Sequence, residues 1–235
     1  MSMYDDQNVL AIRFTILLIW TQRNLHGFSG HHRLGRIHAA EAVTFYFHKD
    51  VMAQTSNTAT VHPVIERNDH HSFMEYALKQ ARLSPAAHAE FCVGAVLVDS
   101  QVNRILSAGY SMELPSPVGD QGNTHAEQCC FIKVALAHNL PPAHAEDHIR
   151  HVLPARTVLY TTMEPCSHRL SGNTTCVERI LKLKGVIRSV YVGIRQPSTF
   201  VRCNDGMKRL QEAGIEVRIT EDMKEYILNV SMAGH

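Results

Sequence analysis

The sequence predicts an α/β fold: a three-layer α/β/α sandwich around a five-stranded, mostly parallel mixed sheet. Three observations lead there. Cys92 to Val98 is an almost continuous apolar run, as expected of a strand covered on both faces. Asp99 to Asn103 is a polar turn that returns the chain as a second strand, Ile105 to Tyr110, giving an antiparallel hairpin. Beyond it, helix and strand patterns alternate three times, which favours parallel pairing through crossovers.

The elements follow in order. Residues 1 to about 70 carry scattered histidines (His26, His31, His32, His38, His48) and no repeating strand or helix pattern. They are expected to form an N-terminal extension of low order, with the folded domain spanning 71–235. Met52 opens a polar stretch (Gln54, Ser56, Asn57, Thr58) suited to a chain start, so the first 51 residues are expected to be dispensable. Val9 to Trp20 is apolar apart from Arg13 and Thr15, but too short to span a bilayer. Asp5 and Asp6 ahead of it fit neither a signal peptide nor a mitochondrial presequence. Ser72 with Glu75 is a capping-box pattern, and Phe73, Tyr76, Ala77 and Ala81 continue a helix up to Pro85. After the hairpin come a glycine-rich loop and a helix from about His125 to His138, then a loop punctuated by Pro141, Pro142 and Pro154. A strand at Thr157 to Thr162, a helix near Thr175 to Lys184 and a strand at Ser189 to Ile194 follow. A helix at Gly206 to Ala213, stopped by Gly214, leads into a strand at Ile215 to Thr220 and a last amphipathic helix from Glu221.

The composition narrows the partners. With 235 residues and 45% hydrophobic content the chain can bury a core. Twenty-three basic against 22 acidic residues leave a net charge of +1, which argues against avid nucleic-acid binding, although a local basic patch is compatible with it. Six cysteines are too few for a disulfide scaffold, and the pair Cys129–Cys130 lies in an apolar helical stretch. A reducing compartment is expected, the cytoplasm with the nucleus as the alternative, and no membrane partner.

His-Ala-Glu occurs three times, at His88–Glu90, His125–Glu127 and His144–Glu146, so context has to choose among the copies. The first lies between Pro85 and a strand and the third in a proline-flanked polar loop, and both are read as surface. The second opens an apolar helix. Forty-one residues later Cys166 follows Pro165 where a strand ends, and Cys176 comes ten residues further, in the opening turn of another helix. One histidine and two thiolates are the three protein ligands of a catalytic zinc site, and helix N-termini favour thiolate. Glu127, an acid that is not a ligand, would move protons between water, ring nitrogen and leaving ammonia. Zinc nucleobase deaminases use such a His-x-Glu and Pro-Cys arrangement with two residues between the cysteines; here there are nine. Two buried structural cysteines and a capping histidine are the alternative.

The stretches Gly-Asn-Thr-His-Ala-Glu-Gln (122–128) and Thr-Met-Glu-Pro-Cys-Ser-His-Arg-Leu-Ser-Gly-Asn-Thr-Thr-Cys (162–176) resemble the pyrimidine deaminases of riboflavin biosynthesis, most closely the fungal type, within the cytidine and deoxycytidylate deaminase-like superfamily. Phe91 to Asp99, Gly109-Tyr110-Ser111 and Asn204 to Val217 share the likeness, which covers roughly residues 72–220. The resemblance implies a cytidine-deaminase-like fold, zinc as cofactor, and deamination of a diaminopyrimidinone carrying a ribitylamino 5-phosphate chain. It also places Ser167, His168 and Arg169 at substrate-contacting positions, with Arg169 or His168 suited to a phosphate. A solvated loop is the alternative for each. Asn123 would orient the base, or serve as an ordinary turn residue. Bacterial relatives carry an Asn-Pro pattern before the first strand and a reductase domain behind the deaminase. This chain has neither, and a stand-alone deaminase is expected, with a homodimer left open. The competing functions are another zinc deaminase, of cytidine, deoxycytidylate or tRNA adenosine, and a non-catalytic zinc-containing partner subunit.

Overall fold

A five-stranded sheet in the order β2-β1-β3-β4-β5 forms the middle layer. The computed structural model describes residues 61–87, 90–120, 122–197 and 204–233, and those from His62 on belong to one compact unit. Most of the expected extension, its Met52, and Cys203 lie outside the described residues. Residues 62–69, assigned to the extension from sequence, pack on the domain. His62 Nδ1 is 3.0 Å from the Tyr76 hydroxyl, and Arg67 donates to the Gln101 carbonyl at 2.9 Å.

Helix α1 spans His70–Ala81. Strands β1 (Gly94–Asp99) and β2 (Arg104–Tyr110) form the expected antiparallel hairpin. Helix α2 (Ala126–Ala137), the short helix α3 (Ala145–His148) and β3 (Thr157–Met163) come next. Helix α4 (Cys176–Lys182), β4 (Ile187–Ile194), α5 (Gly206–Glu212), β5 (Glu216–Ile219) and α6 (Lys224–Ser231) complete the domain. β1 pairs antiparallel with both β2 and β3, while β3, β4 and β5 are parallel. β1 alone therefore runs against the other four strands.

The pleat sorts side chains between two cores. Ala95, Leu97, Leu159, Val190 and Val192 face α2, α4 and α5. Val96, Val98, Val158, Tyr160 and Tyr191 face α1 and α6. Every residue of β1 and β3 is buried, which explains why β1 reads as an almost continuous apolar run, while β3 buries Thr157, Thr161 and Thr162 along with its apolar residues. Among the described residues no helix is long and apolar enough to cross a membrane.

Two expectations need correction. α1 begins at His70 rather than Ser72, because the Asp69 carboxylate accepts from the Ser72 N–H at 3.0 Å and is itself an effective N-cap. The earlier start lets His70 stack on Tyr191, ring centroids 4.2 Å apart, and reach the Tyr160 hydroxyl at 2.8 Å. The proline-rich 139–156 stretch is not all loop: it holds α3 and a 3-10 turn at Ile149–His151.

A candidate metal and catalytic centre

Three segments meet where β2, β3 and β4 end and β1 begins, the end of a sheet where ligands usually sit. His125 is the N-cap of α2, in extended conformation, and its N–H donates to Gln128 Oε1 at 3.4 Å. Glu127 lies in the first turn of α2 and is buried. Cys166 follows β3 through Glu164 and Pro165, and Cys176 opens α4. There Thr175 and Glu178 form a reciprocal capping box, Glu178 N to Thr175 Oγ1 at 3.2 Å and Thr175 N to Glu178 Oε2 at 2.9 Å. Loop 167–175 leaves after Cys166 and returns so closely that the Cys176 N–H points at Cys166 Sγ, 3.4 Å away.

His125 Nδ1 is 3.5 Å from Cys166 Sγ and 3.3 Å from Cys176 Sγ. A tetrahedral zinc, with Zn–S of about 2.3 Å and Zn–N of about 2.0–2.1 Å, sets sulfur and nitrogen ligands about 3.5 Å apart. The three donors fit that ion in number, type and spacing. Glu127 stands beside them, with Oε2 3.3 Å from Cys176 Sγ and Oε1 3.2 Å from the Thr161 hydroxyl.

The electrostatics follow from burial and contact. Burial pushes the Glu127 carboxyl up, against an opposing pull from His125. The hydrogen bond from Cys176 holds the Cys166 thiol well below its ordinary range despite burial, with His125 helping. Cys176 moves upward because it shares that hydrogen bond and is itself buried. By contrast, desolvation alone dominates at Cys130, whose thiol is driven far up and is inert.

His125, Glu127 and Cys166 line a cavity together with Glu90, Glu164 and Gln196. The other residues singled out from sequence lie around it. Arg169 donates to the Asn123 carbonyl, and Asn123 Nδ2 donates to Glu90 Oε1 at 2.8 Å. The exposed His168 has Nδ1 3.0 Å from Ser167 Oγ. Ser167 is buried, and its N–H donates to Asn204 Oδ1 at 3.1 Å. Asn204 and Glu164 clamp this segment: Asn204 Nδ2 donates to the Pro165 carbonyl at 3.2 Å, and Glu164 Oε1 accepts from the Met207 N–H at 3.2 Å. Gly206 permits this approach, since a Cβ there would lie 2.3 Å from the Pro165 carbonyl oxygen.

The surface reading of the third His-Ala-Glu fails at its glutamate, while the glutamate of the first is half-buried at the cavity rim. Glu90 lines the cavity, whereas His88 and Ala89 lie outside the described residues. Glu146 is 1% exposed and accepts from Arg179 Nη1 through both oxygens, at 3.0 and 2.8 Å. Arg179, fully buried, also donates to Asp120 Oδ1 at 2.5 Å, while its Nε has no partner. No sequence signal pointed to Asp120 or Arg179, because their pairing is set by contacts 33 and 59 residues apart along the chain.

Comparison with known proteins agrees with this geometry. Residues 67–194 match the family described as the cytidine and deoxycytidylate deaminase zinc-binding region. The diaminohydroxyphosphoribosylamino-pyrimidine deaminase of Schizosaccharomyces pombe is 35% identical over 172 residues, covering 73% of this chain and 37% of that protein. The chain thus spans little more than a third of that relative's length. A C-terminal deletion mutant of Aspergillus oryzae Rib2 deaminase is 38% identical with a TM-score of 0.62, covering 71% of this chain and 92% of that one. The same deaminase in complex with DARIPP is 37% identical with a TM-score of 0.61, covering 71% and 91%.

Proposed function

We propose, because this chain belongs to the cytidine and deoxycytidylate deaminase family, that it hydrolyses an amino group from a diaminopyrimidinone bearing a ribitylamino 5-phosphate chain, in riboflavin biosynthesis. The observation that carries the reading is the convergence of His125, Cys166 and Cys176 at zinc-ligand spacing with Glu127 beside them, where His125, Glu127 and Cys166 line one cavity. The DARIPP complex of the Aspergillus relative supports the substrate class.

His125, Cys166 and Cys176 would hold the zinc, which when bound would supply the Lewis acidity that activates the attacking water. Glu127 accepts the proton of that water as its oxygen bonds to the carbon. It passes that proton to the ring nitrogen, then takes the remaining proton from the newly formed hydroxyl and delivers it to the amine, so the C–N bond breaks and ammonia leaves with a pyrimidinedione as product. The Thr161 hydroxyl, donating to Oε1, fixes the rotamer of Glu127. Closed packing around Glu127 keeps bulk water from competing for its proton. Asn123 orients the base, a role supported by its hydrogen bond to Glu90 at the cavity. Ser167, His168 and Arg169 form the loop that meets the ribityl phosphate; Arg169 brings a delocalised cation with directional donors.

Ammonia release from the ribitylaminopyrimidine phosphate, cytidine, deoxycytidylate and an RNA hairpin tests the substrate. Turnover of the first alone is expected. Turnover of cytidine or deoxycytidylate alone would retain the zinc chemistry and overturn the riboflavin assignment.

A further inference from the structure

The ligand-bearing segments are joined behind the cavity by a buried polar network that the proposed chemistry does not use. Asp120 is its hub and is 1% exposed. Its Oδ1 accepts from Arg179 on α4, its Oδ2 accepts from Gln128 Nε2 on α2 at 2.9 Å, and Asn173 of loop 167–175 bonds to the same carboxylate. Gln128 stands three residues after His125 and accepts from the His125 N–H through Oε1. Arg179 stands three residues after Cys176, on the same face of its helix. Each polar link thus lies one turn behind a metal-ligating residue. Glu146 on α3 completes the set by taking both bonds from Arg179 Nη1.

Apolar residues of equal volume would pack α2 against α4 at no desolvation cost, and buried ion pairs are weak evidence for stability. Directional bonds add a defined distance and rotation between the helices. We infer that Asp120, Gln128 and Arg179 are positioning residues that set the separation of His125 from the two cysteines, and thereby the rate at which the site releases zinc. Gln128 acts most directly, since it holds the backbone of a ligand while anchored to the hub. The inference rests on the zinc reading above. It extends that reading to a triad outside the coordination sphere, in keeping with the general control of metal sites by outer partners.

The test compares the wild type with Gln128→Met, which keeps volume and removes both hydrogen bonds, and with Asp120→Asn, which keeps shape and removes charge. Ser107→Ala is the control: that buried hydroxyl donates to the Cys130 carbonyl of the same helix at 3.1 Å, away from the network. Zinc release to a chromogenic chelator is timed, and Tm is measured with and without zinc. Both network variants should release zinc at least about tenfold faster, the range for loss of an outer-shell partner. They should also lose more Tm in the zinc-loaded form than in the apo form. Ser107→Ala should lower both Tm values equally and release zinc at the wild-type rate. Wild-type release from Gln128→Met and Asp120→Asn overturns the inference, as does equal acceleration by Ser107→Ala. A wild type that binds no zinc removes the metal reading and the inference with it, whereas a zinc-binding wild type with unaffected variants removes the inference alone.

Discussion

Replacing Gly206 by alanine puts a methyl group 2.3 Å from the Pro165 carbonyl oxygen, 2.9 Å from Val177 Cγ2 and 3.0 Å from Asn204 Oδ1. The first contact is with backbone, so relief requires the Pro165–Cys166 segment or the start of α5 to move by about 1 Å. Such overpacking costs about 1–3 kcal/mol, and three close neighbours put this site near the upper end. Alanine's better helix propensity returns at most about 1 kcal/mol. A net loss of about 2 kcal/mol lowers Tm by about 4–8 °C for a domain of this size. A shift of 1 Å beside the reacting groups can cost about 100-fold in turnover. Thermal unfolding and ammonia release on the same sample, with zinc quantified, check the prediction. Wild-type Tm together with wild-type turnover would show that the clamp yields freely, refuting the view that Gly206 sets the position of Cys166.

Cys166→Ala and Cys176→Ala should each leave less than one zinc per chain and lower stability, because ligand binding and folding are linked. Cys92→Ala, at a buried site away from the metal donors, should keep full zinc content by elemental analysis. Asp120→Asn should change the acid limb of stability. Burial pushes the Asp120 carboxyl up, but hydrogen bonding and charge from Arg179 outweigh it and leave the group below its ordinary value of 3.8. A folded-state value below the unfolded one stabilises at pH above the unfolded value and is lost as pH falls through the folded one. Denaturant titrations should therefore show the variant weaker near neutrality, with the gap to wild type closing below about pH 4. A gap that widens in acid would contradict the assigned sign. Gly94→Ala should destabilise strongly, since a Cβ there meets the Ala77 carbonyl oxygen at 2.0 Å and forces α1 off the sheet; urea unfolding with an unchanged midpoint would contradict that packing.

Local features of the chain were legible in the sequence. The unbroken burial of β1, the polar turn into β2 and the alternation beyond them each leave a pattern within a short window, and the fold follows from them. The residues of the candidate metal site stand out in the sequence for a related reason: each sits at a strand end or helix start that its own neighbours announce, Pro165 before Cys166 and Thr175 before Cys176. Long-range pairing was not legible. Glu146 lies in a proline-flanked polar stretch and reads as surface until Arg179, 33 residues on, supplies the buried partner. Glu90 likewise gains its place beside the cavity from Asn123, also 33 residues away. The start of α1 was displaced for another reason, competition between two good caps, in which Asp69 prevails over Ser72.

Under the proposed function Glu127 moves the protons while His125, Cys166 and Cys176 hold the metal. Zinc content and ammonia release from the ribitylaminopyrimidine phosphate, measured on one preparation each of wild type and Glu127→Gln, test it most directly. Both proteins should carry one zinc per chain, with turnover lowered about 10²–10⁴-fold in the variant. Turnover unchanged in Glu127→Gln, with zinc bound, would contradict it.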